Sequence, residues 1–217
     1  MAEADIIENA AVAVLEGDDP RVELLPLIGM LASQPERFPA TKHVLGFLHC
    51  KLGELDGRTL RLHIWPDTER LYGDPQWPVH THHWTISSAV VAGHVVNETF
   101  AVWPDIQGQS QLYEVHYAGN GLSERRRTDE RVVVVKNDSE TWRAGDRYDI
   151  PLGTYHSTTV PEGTFAATII VTGTRTDALP LVLGQASGKA QYHYSAEEPA
   201  AEAWVQALSK LQRSIQD

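Results

Sequence analysis

Pro78-Val-His80-Thr-His82-His83-Trp84-Thr85-Ile86-Ser87 is the run from which the fold can be read. In an extended strand His80 and His82 stand two residues apart and share a face, their Cα atoms about 6.5–7 Å apart. Both rings then reach one ion at about 2.1 Å. Taken alone, a His-x-His pair is equally well two half-exposed strand residues. A second run, Gly145-Asp-Arg-Tyr-Asp-Ile-Pro151-Leu-Gly153-Thr-Tyr-His156, supplies a third imidazole, with Pro151 and Gly153 fixing a turn that presents it from a later strand.

Around these runs the chain reads as short β-branched and aromatic segments separated by Gly, Pro, Asn and Asp. Strands are predicted over 60–65, 79–92, 95–103, 111–117, 131–136 and 165–172, with Asn120-Gly121 as a tight turn. Before them, Ile6, Ile7, Ala10, Ala11, Val14 and Leu15 form a helical stripe stopped by Gly17. A second helix follows, capped by Asp19 with Pro20 at its first position and burying Leu24, Leu25, Leu27, Ile28 and Leu31. After them, Ser195-Ala-Glu-Glu198 matches a capping box opening a helix whose Trp204, Leu208, Leu211 and Ile215 share one face. The expectation is one domain over 1–217: a helical region 1–40, a β-barrel 41–184 and a C-terminal helix 195–215.

Composition narrows the function. The 217 residues are 42% hydrophobic and 22% charged, as in soluble globular proteins. Their net charge of −11 opposes non-specific binding to nucleic acid or anionic membranes. Cys50 is the only cysteine, which excludes an intrachain disulfide and any CxxC motif and fits a reducing, cytoplasmic setting. The first residues lack the basic and apolar regions of a signal peptide. There is no G-x-S-x-G nucleophile motif and no glycine-rich phosphate loop. Ten histidines, several clustered, are the compositional signal.

The two histidine runs resemble the motifs of the cupin superfamily, G-x5-H-x-H-x(3,4)-E-x6-G and G-x5-P-x-G-x2-H-x3-N. His80, His82 and His156 fall in register; Gly73 stands seven residues before His80, and Gly93 lies near the closing glycine. The motif glutamate is missing, its place falling on Ile86 or Ser87, and Val160 replaces the final asparagine. The resemblance spans roughly residues 58–173. It implies a mainly β fold, the cupin double-stranded β-helix or jelly-roll barrel, here with helical N- and C-terminal additions.

A three-histidine site without the glutamate is similar to that of the thiol dioxygenases, cysteine dioxygenase among them. The wording of 60–65 and 93–104 resembles that family too. What this implies is Fe(II) on His80, His82 and His156, with a small metal-chelating substrate and O2 as partners, and a possible homodimer, since many cupins pair through edge strands. Three neutral imidazoles leave the ion its full 2+ charge and open positions. The family's substrate-carboxylate arginine corresponds to the region of His49-Cys50-Lys51, with Arg58 and Arg61 nearer the strand. Its histidine and tyrosine on the strand after the third ligand are absent from 168–172, and Ser87 stands near its crosslinking cysteine.

Among neighbouring residues, Tyr155 beside the third ligand and Tyr148 eight positions before it could each hydrogen-bond oxygen or substrate, or top a core. Trp84 continues the inward series as barrel packing or as a pocket wall. His83 turns the other way in a regular strand, to the surface or behind the ligands. His94 and Glu98 offer partners for a ligand's second ring nitrogen, or a solvated face. His63, Tyr113 and His116 have both a buried structural reading and a substrate-contact reading. Arg125-Arg126-Arg127 reads as a solvated loop. Two alternatives to an iron dioxygenase remain: a Zn, Ni or Mn isomerase, lyase or decarboxylase, and a non-catalytic small-molecule-binding cupin.

Overall fold

The computed structural model describes residues 2–16, 19, 21–70, 72–119 and 121–216. Helices α1 (Glu3–Glu16) and α2 (Arg21–Ser33) lead into a short 3-10 turn and twelve strands. These are β1 (Ala40–Lys42), β2 (Leu48–Leu55), β3 (Arg58–Trp65), β4 (Ile86–Ala92), β5 (His94–Pro104), β6 (Ser110–Gly119), β7 (Leu122–Arg143), β8 (Arg147–Ile150), β9 (Tyr155–Thr159), β10 (Ala166–Thr172), β11 (Leu181–Gln185) and β12 (Gln191–Ser195). Helix α3 (Ala201–Gln216) ends the chain. The expected mainly β jelly-roll barrel with helical additions is the fold observed. No described helix is long and apolar enough to cross a membrane.

Two antiparallel sheets make the barrel, one in the order β1-β2-β3-β10-β4-β8 and one in the order β11-β6-β7-β5-β9 with β12 added to β7. Strands of the first sheet are covered on both faces. Leu48, Cys50 and Leu52 of β2, Leu60, Leu62 and Ile64 of β3, and Ala167, Ile169 and Val171 of β10 pack in one core with Leu24, Leu27, Ile28 and Leu31 of α2 and Trp204, Leu208 and Leu211 of α3. The period of two sends the alternate residues, His49, Arg61, His63, Trp65, Thr168 and Ile170, into the barrel. The helices thus bury the apolar outer face and leave the inner face for chemistry. Cys50 is buried in that outer core, where burial pushes its thiol up to about 12 and disfavours the thiolate.

Several expectations are corrected. The strand expected over 79–92 is two pieces: β4 begins at Ile86, and the histidine segment before it is irregular apart from His80, which bridges His156 and Val182. His80 and His156 exchange both backbone hydrogen bonds at 3.0 Å, Thr81 donates to Leu181 O at 2.8 Å and Leu183 donates to Val79 O at 3.0 Å. Residues 79–81 therefore join β9 to β11, the two ends of the second sheet. Strand β7 is 22 residues long and contains the arginine run read as a loop. One of its sides is shared, by β12 opposite 122–126 and by β5 opposite 132–143.

Ser195 ends β12 and does not cap a helix; Pro199 intervenes, and Ala203 and Trp204 donate to Ala200 O as α3 starts. Asp19 does cap, accepting from Arg21 N–H at 3.1 Å. Leu25 stays partly exposed. The readings at Gly17, Pro20 and Asn120 lie outside the described residues. Gly121 beside the last adopts a φ of 73° at the β6–β7 turn.

Candidate metal centre

The donor nitrogens of His80, His82 and His156 all lie within 4.8 Å of one another. Ring centroids are 4.7 Å apart for His80 and His82, 4.6 Å for His80 and His156, and 5.1 Å for His82 and His156. The main-chain pairing of His80 with His156 sets this convergence, because a reciprocally bonded antiparallel pair faces two side chains the same way.

Two of the imidazoles are oriented from behind. His80 Nδ1–H donates to Pro78 O at 2.8 Å, leaving Nε2 as a lone-pair donor. His156 Nδ1–H donates to Asn97 Oδ1 at 3.3 Å, and that oxygen also accepts from Thr158 Oγ1 at 3.1 Å. His156 Nε2 is buried and has no hydrogen-bond partner. A buried orphan nitrogen aimed at two other imidazoles, with the opposite nitrogens held by oxygen acceptors, is the arrangement of ligands and their supporting shell. These three residues fit a divalent ion.

Asn97 was not anticipated. The sequence points to His94 and Glu98 for the orienting group, but Glu98 pairs with Lys136 Nζ at 2.5 Å on the exposed side. Asn97 is in phase with buried Val95, and a polar residue in that phase was the available signal. Replacing Asn97 by Ala is expected to weaken metal binding about 10–100-fold with little change in fold, as read by metal titration.

Through His80 and His82, with buried His156 behind them, the cluster borders a cavity of about 640 Å³ between the two sheets. Trp84 and Tyr148 line it, as do Phe47, His63, Trp65 and Trp77. Trp84 stacks on His82 with centroids 5.9 Å apart and planes at 15°. Tyr148 packs on Trp142 at 5.6 Å; burial raises its hydroxyl pKa, with the Ser88 and Thr158 side chains beside it acting in the opposite sense. Through Thr158, Tyr148 adjoins Asn97 and so the back of His156.

Tyr155 does not belong to the cavity. One residue from His156 on the same strand, it turns outward and packs against Leu112, Val132 and Leu183. Tyr113 likewise is core, its hydroxyl donating to Lys189 O at 3.1 Å, and His116 pairs with Glu114 away from the cavity. His83 is only 2% exposed because the segment is not a regular strand; it packs edge-on to Trp84 at 4.1 Å and lines the cavity without joining the three-histidine cluster.

Burial holds His43, His63, His82 and His156 well below the ordinary histidine range. Burial together with the Arg61 charge takes His49 to about 4. In the unfolded chain each imidazole takes a proton near 6.5, whereas the folded one stays neutral. The unfolded state then binds more protons below that pH. Stability is complete above about 6.5 and falls with pH below it, by about 1.4 kcal/mol per pH unit for each such histidine. The melting temperature of metal-free protein should drop by at least about 5 °C between pH 7.5 and 5; a flat profile would show these rings to be solvated.

No family model matches the sequence, and no curated protein matches it. Among solved structures, hydroxypropylphosphonic acid epoxidase from S. wedmorenis aligns over 64% of this chain and 56% of its own, at 11% identity and a TM-score of 0.35. A crystal structure of FeII HppE aligns over 64% and 57%, at 12% identity and 0.34. The chain spans little more than half the length of those proteins.

Proposed function

We propose that the protein is a non-haem iron enzyme of the cupin type, with Fe(II) on His80, His82 and His156, that oxidises a small organic substrate with O2 in the manner of the thiol dioxygenases. The observation that carries this reading is the convergence of three neutral imidazoles, one with a buried orphan Nε2, beside a cavity that His80 and His82 line and that has no carboxylate among its described lining residues. When bound, such an ion supplies the electron exchange that lets triplet dioxygen react with a singlet molecule.

The chain's own residues do the rest. Pro78 O and Asn97 Oδ1 fix the tautomers of His80 and His156. Burial keeps the imidazoles unprotonated and so available as donors at neutral pH. Trp84, Phe47 and Ile170 wall the substrate from water. Tyr148, buried and protonated, keeps a hydroxyl proton on the wall that carries the third histidine's support.

Anaerobically purified protein, loaded separately with Fe(II), Zn, Ni and Mn, tests the reading by elemental analysis and oxygen uptake with thiol carboxylates, diketones and catechols. About one iron per chain and substrate-dependent O2 consumption are expected, both lost in His82→Ala. Anaerobic turnover with a redox-silent metal would instead place the protein among metal-dependent isomerases or lyases.

A further inference from the structure

Arginines that reach inward elsewhere in this protein are bound to main-chain carbonyls. Arg70 donates to the carbonyls of Pro66, Val160, Pro161 and Thr164, and Arg147 to that of Leu15. Arg61 and Arg125 are different. They enter the cavity from the two facing sheets, Arg61 from β3 and Arg125 from β7. Arg125 is only 5% exposed.

Neither forms an ion pair among the described residues. Arg61 spends Nη1 on His49 Nε2 at 3.1 Å, and its Nε is buried without a partner. Arg125 spends Nη1 on Tyr194 Oη at 2.9 Å and, at 3.4 Å, on Pro75 O. In both, the edge formed by Nε and Nη2 donates to no described residue. Each guanidinium also lies over a tryptophan, Arg61 5.0 Å from the Trp84 ring and Arg125 5.4 Å from that of Trp77, with Tyr194 at 4.1 Å.

The surrounding charge does not balance them. No Asp or Glu is among the described residues of the cavity wall, although the whole chain carries a net −11. The two lysines on the wall are neutralised from outside it, Lys42 by Glu197 at 3.6 Å and Lys51 by Glu54 at 2.5 Å. Arg175, exposed at the cavity's edge, adds a third cation with no ion pair among the described residues. One buried and one half-buried guanidinium stacked on aromatic rings, each with its side-on bidentate edge free, are complementary to planar two-oxygen anions.

We propose that the cavity takes an organic dicarboxylate, one carboxylate on Arg125 and the other on Arg61, with the carbon skeleton between them lying past His80 and His82. Arg125 then determines specificity, because it selects for a second carboxylate that a simple amino acid or monoacid lacks. The volume of about 640 Å³ and the indole walls accommodate a skeleton of several carbons between the two anionic ends. Tyr194 is a positioning residue: its hydroxyl fixes Nη1 of Arg125 and so directs the opposite edge inward.

This assignment rests on reading the cavity as the active site, but its test needs no metal. Metal-free and iron-loaded protein are titrated calorimetrically at pH 7.5 with the straight-chain diacids from succinate to suberate, the monoacids of equal carbon number, and inorganic phosphate. One diacid length should bind at least about 30-fold more tightly than its monoacid. Arg125→Met should erase that difference, and Arg125→Lys should restore part of it. Equal binding of diacid and monoacid at every length in the wild type overturns the proposal, and that comparison needs no variant to fold. Undiminished diacid binding in Arg125→Met, or phosphate binding as tightly as the best diacid, overturns it too. Failed metal loading with diacid discrimination intact would sink the iron reading alone.

Discussion

His156→Ala protein should purify folded and nearly free of metal, its affinity for Fe(II) reduced by more than about 10³-fold, since loss of a supporting residue alone costs about 10–100-fold. The separation of folding from binding follows from the local hydrogen bonds. Asn97 Oδ1 keeps its bond from Thr158 Oγ1 when the imidazole is gone, and the main-chain exchange between positions 80 and 156 needs no side chain. The clearest readout is therefore thermal. Metal at 100 times its Kd should stabilise the wild type by about 2.7 kcal/mol and the variant not at all. Equal metal-induced stabilisation of both would mean that the ion sits elsewhere.

Gly93→Ala carries the largest expected stability loss. Gly93 links β4 to β5 with a φ of 65°, and a Cβ there would lie 2.1 Å from Phe165 O, a backbone atom that cannot swing aside. Left-handed strain and the displacement of packed strands together are expected to cost about 3 kcal/mol, which lowers the melting temperature by about 6–12 °C. Gly163→Ala is the matched control: its φ is 71°, yet nothing lies within 4 Å of the added carbon, so strain alone should cost about 1 kcal/mol. If the two variants melt together, the close approach at Gly93 does not constrain the barrel. The strands it joins carry Asn97 on one side and the cavity wall on the other, so metal affinity should fall with stability in Gly93→Ala only.

The three imidazoles were legible because spacing in the sequence fixes them: a two-residue step for His80 and His82, and a Pro-x-Gly turn for His156. The helical stripes of α1 and α2 were legible for the same reason, periodicity of 3.6 with a local cap. What the sequence concealed depends on pairing between distant strands. Asn97 reaches His156 because Thr99 of β5 lies opposite it, a register no local pattern encodes. Arg125 reads as loop in the sequence because charge dominates 123–131; only the partners β6 and β12 on either side make it a strand position and turn it inward. The Ser195 capping pattern lost to Pro199 and to the pairing of Ser195 with Leu122. Tyr155 and Tyr148 looked equivalent as tyrosines near a ligand. Their alternation relative to the barrel wall, inward for 148 and outward for 155, separated them.

The backbone exchange between residues 80 and 156 also bears on how the protein acquires its ion. That exchange is made by main-chain atoms alone and needs no ion to hold two of the three donors together, so capture is expected to require no chain reorganisation. Loading should then be first order in free metal up to the rate of water exchange on the ion, without a plateau from a slow opening step. Amide protons at 80 and 156 should exchange with deuterium at the same slow rate in empty and filled protein, unlike small metallo-domains whose folding waits for the metal.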